Sequence, residues 1–330
     1  MTGISLVTGG AGFIGRHLVA QLAGLGGTVR VLDPLATAAD FPSGVEVIPG
    51  SVLDKVALDA ALGGVRHVYH LAANAHLWAR DRGSYAVINI EGTRALLQAT
   101  RTHNPEKIVI TSSETILRGW RDASPAPISE DDPVPAIDAM AGPYTRSKLA
   151  QDALAREAAR SGLPVIIVYP TVPVGPGDRA MTAPTRMTLD LLRGDTPAML
   201  EARLNFIAVE DAARGHILAA EKGTSGGRYI LGGQNMAIGE FLALLGDISA
   251  RPMPTRRIPW WLAALSARVM ELGAAITGNA LRASVEGVRL AKHQSFVDTA
   301  RARNDLGFEA GSVGEALRRQ IAWLDAEGHL

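Results

Sequence analysis

The stretch "LVTGGAGFIGRHLVAQL" (6–22) decides the fold of this chain. It opens with apolar, β-branched residues, turns at Gly9, Gly12 and Gly15, and continues with the apolar spacing of a helix. Glycines at such positions permit a tight turn, a close approach of the backbone to another group, and close packing of the helix on the strand. The second β-rich run ends in Asp33, eighteen residues after Gly15. An ordinary tight turn is the alternative, but this combination favours a binding site.

The start of that helix is suited to bind a dinucleotide. Its first N–H groups have no partner within the helix, and the positive end of the helix dipole attracts phosphate. A carboxylate at the position of Asp33 accepts hydrogen bonds from both ribose hydroxyls of NAD and repels the 2′-phosphate of NADP. The next residues, "PLATAAD" (34–40), include no arginine or lysine to pair with that phosphate. The sequence therefore predicts NAD(H) in preference to NADP(H).

The first half of the chain alternates β-rich runs with helical patterns. The runs lie at 4–8, 28–33, 45–49, 67–72, 107–112 and 164–170. They are almost continuously apolar, which is typical of strands buried on both faces, and the alternation implies a parallel sheet with right-handed crossovers. We expect an α/β fold, with a Rossmann-type doubly wound sheet in 1–170. Segments around 205–232 return to that sheet, and a smaller, mostly helical substrate lobe occupies the rest of 171–330.

Composition excludes several classes of protein. The chain has 330 residues, of which 33 are basic and 33 acidic, and this zero net charge gives no reason to expect a nucleic-acid partner. The absence of cysteine excludes disulfides, thiol catalysis and cysteine-bound zinc. His67 and His70 lie three apart on a predicted strand and face opposite sides, so we predict no metal site. The first residues lack the pattern of an export signal, and a cytoplasmic location is expected.

A second motif carries the chemistry. Tyr144 and Lys148 lie four apart at the head of a predicted helix and so share one face. The fifth predicted strand ends in Ser112 and Ser113. A phenol has a pKa near 10 and works poorly as a proton donor or acceptor at neutral pH unless its anion is stabilised. We expect the Lys148 ammonium to lower the pKa of Tyr144, and Ser113 to bind the substrate oxygen.

Together these motifs resemble those of the extended short-chain dehydrogenases/reductases, the NAD-dependent epimerase/dehydratase family. The resemblance extends over nearly the whole chain and is carried by "TGGAGFIG" (8–15), "HLAA" (70–73), "NIEGT" (89–93), "TSS" (111–113), "YTRSK" (144–148), "PVGPGD" (173–178) and "FIAVEDAARGH" (206–216). It implies that Ser113, Tyr144 and Lys148 form a catalytic triad.

The resemblance also implies a set of cofactor contacts: Gly9, Gly12, Phe13, Ile14, Gly15, Asp33, Ser51, Val52, Leu71, Ala72, Ala73, Asn89, Thr111, Tyr144, Lys148, Pro170, Thr171 and Val172. Ser51 departs from the family pattern. Many relatives have an aspartate at this position, which binds the adenine amine, and a serine makes that contact only weakly.

The resemblance leaves the substrate open between sugar nucleotides and apolar molecules. Sugar epimerases of the family have an arginine just before the aromatic-Ile-x-Val segment, where this chain has Leu204 and Asn205, and Arg203 lies one position away. The C-terminal part is similar to the dihydroflavonol reductase and 3β-hydroxysteroid dehydrogenase branch. Hopanoid-associated epimerase-like proteins and bacterial ceramide reductases are similar too.

The stretch "IPWWLAALSARVMELGAAITG" (258–278) is long enough to span a bilayer, but Arg268 and Glu271 near its middle make that costly. A stripe of apolar residues recurs at helical spacing: Trp261, Leu265, Val269, Leu272 and Ile276. The stretch therefore predicts an amphipathic helix of the substrate lobe. Its apolar side either packs on the protein's own core, lines an apolar pocket or touches a membrane surface. The substrate contacts expected are Trp78, Ser113, Met181, Trp260 and Trp261.

Three functions remain open. The favoured one is an NAD(H)-dependent oxidoreductase that interconverts a ketone and a secondary alcohol on a bulky, lipid-like substrate, such as a keto-sphingolipid or ceramide, a terpenoid or a steroid-like molecule. The second is a nucleotide-sugar epimerase with tightly bound NAD, which returns the hydride and consumes no cofactor. The third is a non-catalytic dinucleotide sensor. A homodimer through two helices of the sheet domain is an expectation from the family.

Overall fold

The computed structural model describes residues 3–120, 126–277, 283–292 and 296–330. Its strands are β1 (Ile4–Thr8), β2 (Thr28–Leu32), β3 (Glu46–Ile48), β4 (Val65–His70), β5 (Lys107–Thr111), β6 (Val165–Pro170), β7 (Val172–Val174), β8 (Arg203–Ala208), β9 (Arg228–Leu231) and β10 (Gln234–Ala237). Each predicted strand is present, and the ends differ from the prediction by at most two residues.

The helices are α1 (Phe13–Gly24), α2 (Lys55–Leu62), α3 (Gly83–Tyr85), α4 (Gly92–His103), α5 (Pro143–Arg160), α6 (Ala183–Leu192), α7 (Val209–Lys222), α8 (Ile238–Ser249), α9 (Trp260–Thr277), α10 (Val285–Ala291), α11 (Ala300–Leu306) and α12 (Val313–Ala326). A π-helical turn, Ala86–Glu91, joins α3 to α4. Gly278, the last residue of the predicted stretch 258–278, lies outside the described residues.

A parallel sheet with strand order β3-β2-β1-β4-β5-β6-β9 forms the centre of the first domain. Helices α2, α4 and α5 cover one face, and α1, α7 and α11 cover the other. Because side chains alternate along a strand, Leu6 and Ile108 enter the first core while Val7 and Val109 enter the second. This order is that of a doubly wound Rossmann-type fold, so the predicted fold class is confirmed.

A smaller sheet of order β10-β8-β7 belongs to the second lobe, where α6, α8 and α12 pack around stacked rings of Phe206 and Phe241. The chain passes from the large sheet to the small one at Thr171. The Thr171 hydroxyl donates to Asn205 Oδ1 at 2.8 Å, and the same oxygen accepts from the N–H of Gly233 at 2.8 Å. These bonds join the two sheets beside the carboxyl end of β6.

Helix α9 has the predicted position but not the orientation expected of a core helix. The five stripe residues are between 54% and 83% exposed, whereas Ala263, Ala267 and Ala274 are buried. The expectation that the stripe packs on the protein's own core is therefore wrong. The alanines allow α9 to approach α10 closely, and this leaves the larger apolar side chains outside. No described helix is both long and apolar enough to cross a membrane.

Candidate active site

The residues predicted to bind the cofactor lie along the carboxyl edge of the large sheet. They follow β1 (Gly9, Gly12, Phe13, Ile14, Gly15), β2 (Asp33), β3 (Ser51, Val52) and β4 (Leu71, Ala72, Ala73). Others end β5 (Thr111) and β6 (Pro170) or come directly after β6 (Thr171, Val172). Ligands of open α/β sheets bind at this edge, because the loops after successive strands meet there.

The glycine turn presses against the loop that follows β4. Gly9 has a φ of +73°, and a Cβ there would lie 2.6 Å from the main-chain nitrogen of Ala72. A Cβ at Gly15 would lie 2.3 Å from the carbonyl oxygen of Gly9. No side chain fits at either position, so the backbone itself forms the surface at the start of α1. Such a surface of N–H groups fits the pyrophosphate of a dinucleotide.

Asp33 is fixed beside this turn. Its Oδ2 accepts from the N–H of Ala11 at 3.1 Å, and its Oδ1 accepts from the N–H of Leu35 at 2.8 Å. The side chain is almost fully buried. Both oxygens retain unused lone pairs, and the carboxylate stands where the sequence placed a ribose acceptor.

Two arginines that sequence reasoning missed lie near this end of the site. Arg16 donates from Nε to the carbonyl of Ala11 at 2.8 Å, and its guanidinium reaches Asp40 Oδ1 at 3.2 Å. Arg179, from a distant loop, reaches the same oxygen at 2.7 Å. Hydrogen bonds from Thr37, and then the Arg16 charge, hold the pKa of the Asp40 carboxyl well below its usual range. Residues 34–40 contain no arginine or lysine, and the two cations beside Asp40 come from other segments of the chain.

The side chain of Ser51 forms a hydrogen bond within its own loop. Its Oγ accepts from the N–H of Leu53 at 3.2 Å in the turn that leads to α2. Val52 is buried against α4, where a Cβ on Gly92 would meet its Cγ2 at 2.7 Å. These contacts order the loop after β3 without supplying an acidic group to the adenine side.

The structure brings the predicted triad together. Ser113 follows β5, and Tyr144 and Lys148 lie one turn apart at the start of α5. Lys148 is almost fully buried, and its Nζ donates to the carbonyl of Thr111, at the end of β5, at 2.7 Å. This bond ties α5 to the end of β5, two residues before Ser113. The Ser113 Oγ lies 2.8 Å from the Oγ1 of Thr115.

Burial is the largest influence on the pKa values of Tyr144, Lys148 and Glu114. It raises the pKa of Tyr144 above the ordinary value, and a hydrogen bond with Ser113 acts in the opposite direction. We expected Lys148 to supply that lowering effect, but its ammonium donates to Thr111 instead. Burial lowers the pKa of Lys148 to about 7 and raises that of Glu114, next to Ser113, to about 7. The phenol of Tyr144 therefore holds its proton at neutral pH.

Asn89 lies in the π-helical turn and is fully buried. Its Oδ1 accepts from the N–H of Asn74 at 2.7 Å, and its Nδ2 donates to the Oγ of Ser147 at 2.8 Å. The Ser147 hydroxyl in turn donates to the carbonyl of Tyr144 at 2.7 Å. Asn89 thus connects the loop after β4 to the first turn of α5.

A buried histidine supports the same region in one tautomer. The Thr93 hydroxyl donates to the carbonyl of Asn89, so it must accept from His70 Nε2, at 2.8 Å. His70 Nδ1 then accepts from the hydroxyl of Thr8 at 2.7 Å. Burial lowers the pKa of His70 to about 3, so the ring is neutral and its role is structural.

Glu286 contacts the first turn of α5, and sequence reasoning did not single it out. It lies in α10 of the second lobe, is almost fully buried, and faces the start of α5. Its Oε1 accepts from the N–H and the hydroxyl of Thr145 at 2.7 and 2.8 Å, and its Oε2 accepts from the N–H of Tyr144 at 3.1 Å. A Cβ on Gly142 would lie 2.5 Å from Glu286 Oε2, so glycine is required there. A single glutamate 142 residues from Tyr144 leaves no signal in the sequence.

Four of the predicted substrate residues, Trp78, Met181, Trp260 and Trp261, do not converge on one pocket. Trp78 lines a surface hollow of about 310 Å³ with Arg268 and Leu272. Trp260 stacks on Trp120 with ring centroids 6.0 Å apart. The two remaining candidates, Trp261 and Met181, are respectively 64% exposed on α9 and packed against the core of the smaller sheet. Within the described ranges, no three His, Asp or Glu side chains are grouped to hold a metal ion.

A doubly wound parallel sheet, a glycine turn at the first helix and a Ser, Tyr and Lys set at the carboxyl edge define a short-chain dehydrogenase/reductase. The chain belongs to the NAD dependent epimerase/dehydratase family, whose model matches residues 5–232. It is an enzyme of the dehydrogenase and reductase branch of that family, as the motifs predicted.

Similar proteins cover the whole chain. A putative dihydroflavonol 4-reductase of Synechocystis is 32% identical over 98% of this chain and 95% of its own length. Sterol demethylase protein B of Methylococcus capsulatus is 29% identical over 98% of this chain and 99% of its own length. Among solved structures, gox2253 superposes with a TM-score of 0.84 at 33% identity and covers 99% of both chains.

Proposed function

We propose that the protein interconverts a ketone and a secondary alcohol on a bulky, lipid-like substrate, with NAD(H) as cofactor. The observation that carries the proposal is the position of Tyr144. Tyr144 lies in the first turn of α5, at the carboxyl edge of the sheet and one helical turn from a buried lysine that donates to the end of β5. Ser113 is near enough to act on the pKa of the phenol. Keto-sphingolipids, ceramides, terpenoids and steroid-like molecules are the substrates that we favour.

In the direction of reduction, Tyr144 donates its proton to the substrate oxygen as negative charge develops there. The Ser113 hydroxyl donates a hydrogen bond to the same oxygen and holds the carbonyl in place. A bound nicotinamide would supply or accept the hydride. In the direction of oxidation, positive charge on Lys148 stabilises the phenolate of Tyr144, and Lys148 is also placed to hold the nicotinamide ribose.

The second lobe favours an apolar substrate over a sugar nucleotide. Arg203, the cation nearest in sequence to the position where epimerases carry their arginine, lies over the ring of Phe296 at 5.3 Å. Asn205 uses its side chain to join the two sheets. Relatives named as a putative dihydroflavonol 4-reductase and as a sterol demethylase protein support the same choice.

The substrate class is tested by cofactor turnover. We expect the enzyme to consume NADH in proportion to the reduction of 3-ketoceramide or of a 3-ketosteroid. The alternative, an epimerase, predicts conversion of UDP-glucose without net change of NADH. Interconversion of sugar nucleotides with no turnover of any apolar ketone would reject the proposal.

Asp33 is expected to select NAD(H). The change Asp33→Ser removes a charged acceptor for the ribose hydroxyls, and such hydrogen bonds contribute about 1.5–3 kcal/mol. We expect NAD to bind about 10- to 100-fold more weakly, while NADP binding improves relative to NAD because a like charge is lost. Titration of both cofactors by calorimetry measures this change.

Asp54→Ser is the matched control, since Asp54 also accepts main-chain N–H groups but at the start of α2. Its cofactor preference should equal that of the native protein. Tighter binding of NADP than NAD by the native protein would contradict the assignment.

Glu286 is expected to act as a positioning residue. Glu286→Gln preserves shape but replaces one acceptor with an amide donor that opposes the N–H of Tyr144 or the N–H and hydroxyl of Thr145. We expect kcat to fall about tenfold with little change in cofactor Kd, and unfolding free energy to fall by about 1–3 kcal/mol. Steady-state kinetics and thermal unfolding measure both effects.

Glu240→Gln gives the comparison for this variant, because Glu240 accepts the N–H of Ala237 at the start of α8, in the second lobe. It should keep both kcat and stability close to the native values, because a glutamine oxygen can still accept from the N–H of Ala237. Equal kcat in Glu286→Gln and the native enzyme would show that the carboxylate does not position Tyr144.

A further inference from the structure

Helix α9 presents an apolar surface on its outer side. Half of the large apolar side chains that are exposed in the described part of the chain lie on this one helix: Trp261, Leu262, Leu265, Val269, Met270, Leu272 and Ile276. The opposite side is occupied by alanines that pack near Val288 of α10. Scattered exposed apolar residues are normal on a protein surface, but a contiguous group of this kind marks an interaction site.

The surface around α9 carries a surplus of positive charge. Exposed arginines lie just before α9, within it and beside its second half: Arg256, Arg257, Arg268, Arg80 and Arg82. Of these, Arg257 pairs with Glu201. The neighbouring acids are fewer and already bonded. Glu271 accepts from the N–H of Val285 and pairs with Arg82 at 3.5 Å, and Asp81 accepts from the N–H of Gly83. An apolar strip bordered by arginines is complementary to a surface that is apolar inside and anionic outside.

We propose that the outer face of α9 docks on an anionic lipid bilayer, with the helix parallel to the membrane plane. Eighteen residues of helix extend about 27 Å along that plane. Exposed Trp261 near one end suits the headgroup region, where tryptophan is enriched. The leucines, the valine and the isoleucine of the face enter the boundary of the acyl chains, and the arginines contact acidic headgroups.

The docked face is connected to the active site through the other side of the same helix. Trp260, the first residue of α9, stacks on Trp120, which lies seven residues beyond Ser113. Helix α10, which packs on α9, contributes Glu286 to the first turn of the Tyr144 helix. Docking would therefore hold the substrate lobe at the bilayer where a lipid-like ketone resides, and in this respect the inference rests on the proposed function.

A bilayer explains the charges better than a second copy of the chain does. A twofold dimer through this face would place Arg268 of one copy near the same arginines of the other, because such an interface pairs the same patch on both subunits. Like charges brought together in this way oppose association. A bilayer of anionic lipids offers acyl chains to the apolar strip and acidic headgroups to the arginines.

Sedimentation with vesicles tests the proposal. We expect the native protein to pellet with vesicles of phosphatidylcholine and phosphatidylglycerol in equal parts, and to remain in the supernatant with phosphatidylcholine alone. Added salt should weaken the binding, since it screens the arginines. The double variant Leu265→Glu, Val269→Glu changes two exposed positions, and we expect its bound fraction to fall by about tenfold or more.

Val56→Glu is the matched control, since Val56 is even more exposed than Leu265 and Val269 and lies on α2, far along the chain from α9. It should bind vesicles like the native protein, and all variants should reduce a small water-soluble ketone at the native rate. Failure of the native protein to pellet, or equal pelleting of the double variant, overturns docking while turnover still reports on the proposed function. A native dimer that the double variant converts to a monomer would assign the face to a second copy and also overturn the proposal.

Discussion

Replacing Tyr144 with phenylalanine is expected to lower kcat by about 1000-fold, within the range that general acid–base catalysis contributes. The variant loses the hydroxyl that donates a proton to the substrate oxygen. It keeps the ring, whose centroid lies 6.5 Å from that of Tyr85, and it keeps the main-chain N–H that binds Glu286. Cofactor affinity and melting temperature should therefore stay close to the native values. NADH consumption, calorimetry and thermal unfolding measure the three quantities.

Tyr85→Phe is the control, because it also removes one phenol hydroxyl and keeps the ring. The Tyr85 hydroxyl donates to the carbonyl of His76 at 2.8 Å, so its loss affects a structural hydrogen bond and leaves the Tyr144 hydroxyl in place. That variant should retain most of its turnover. Undiminished turnover in Tyr144→Phe would remove the phenol from the mechanism and revive the possibility of a non-catalytic dinucleotide sensor.

Lys148→Met is expected to reduce activity and to stabilise the fold at the same time. Without the buried cation, kcat should fall by about 100-fold, because the phenolate and the ribose lose a preorganised charge. The same cation is costly in the folded state. Burial lowers the pKa of Lys148 from 10.5 to about 7. Below pH 7 the native state therefore bears the full free-energy cost of burying the charged ammonium.

The sign of the pH dependence follows from these two values. Between about pH 7 and 10.5 the unfolded chain binds the Lys148 proton and the native state does not, so this group makes the native enzyme more stable as pH rises. The variant lacks this group. Its advantage in unfolding free energy should be about 3 kcal/mol at pH 7, after the lost bond to Thr111 is deducted, and should decline towards pH 10.5. Denaturant unfolding at several pH values measures it.

Lys107→Met is the control for this comparison. Lys107 is a lysine of β5 that donates to the carbonyl of Gly223 at 2.9 Å, outside the predicted triad. Its replacement should leave kcat unchanged and should show no stability gain that declines with pH. A Lys148→Met variant less stable than the native enzyme at pH 7 would show that the ammonium is held favourably.

Local spacing was sufficient to predict the sheet domain and to suggest the chemistry that we propose. The runs at 4–8 and 107–112 are apolar on both faces, and only a strand covered by helices on both sides satisfies that pattern. The glycine turn and the Tyr144 and Lys148 pair are also local, because three or four residues of chain determine which side chains share a turn. Strand ends varied by up to two residues, since hydrogen bonding to the next strand decides where each one stops.

Contacts between distant segments were decided only by the tertiary structure. Glu286 meets the Tyr144 helix across 142 residues, and Arg179 meets Asp40 across 139, and neither pair leaves a periodic signal. The orientation of α9 was also decided by contacts between distant segments. A helical spacing shows that Leu265 and Val269 share a side, but the elements that pack against a helix determine which side is covered. Here the alanines of α9 allow the closer approach to α10, so the larger apolar residues remain outside.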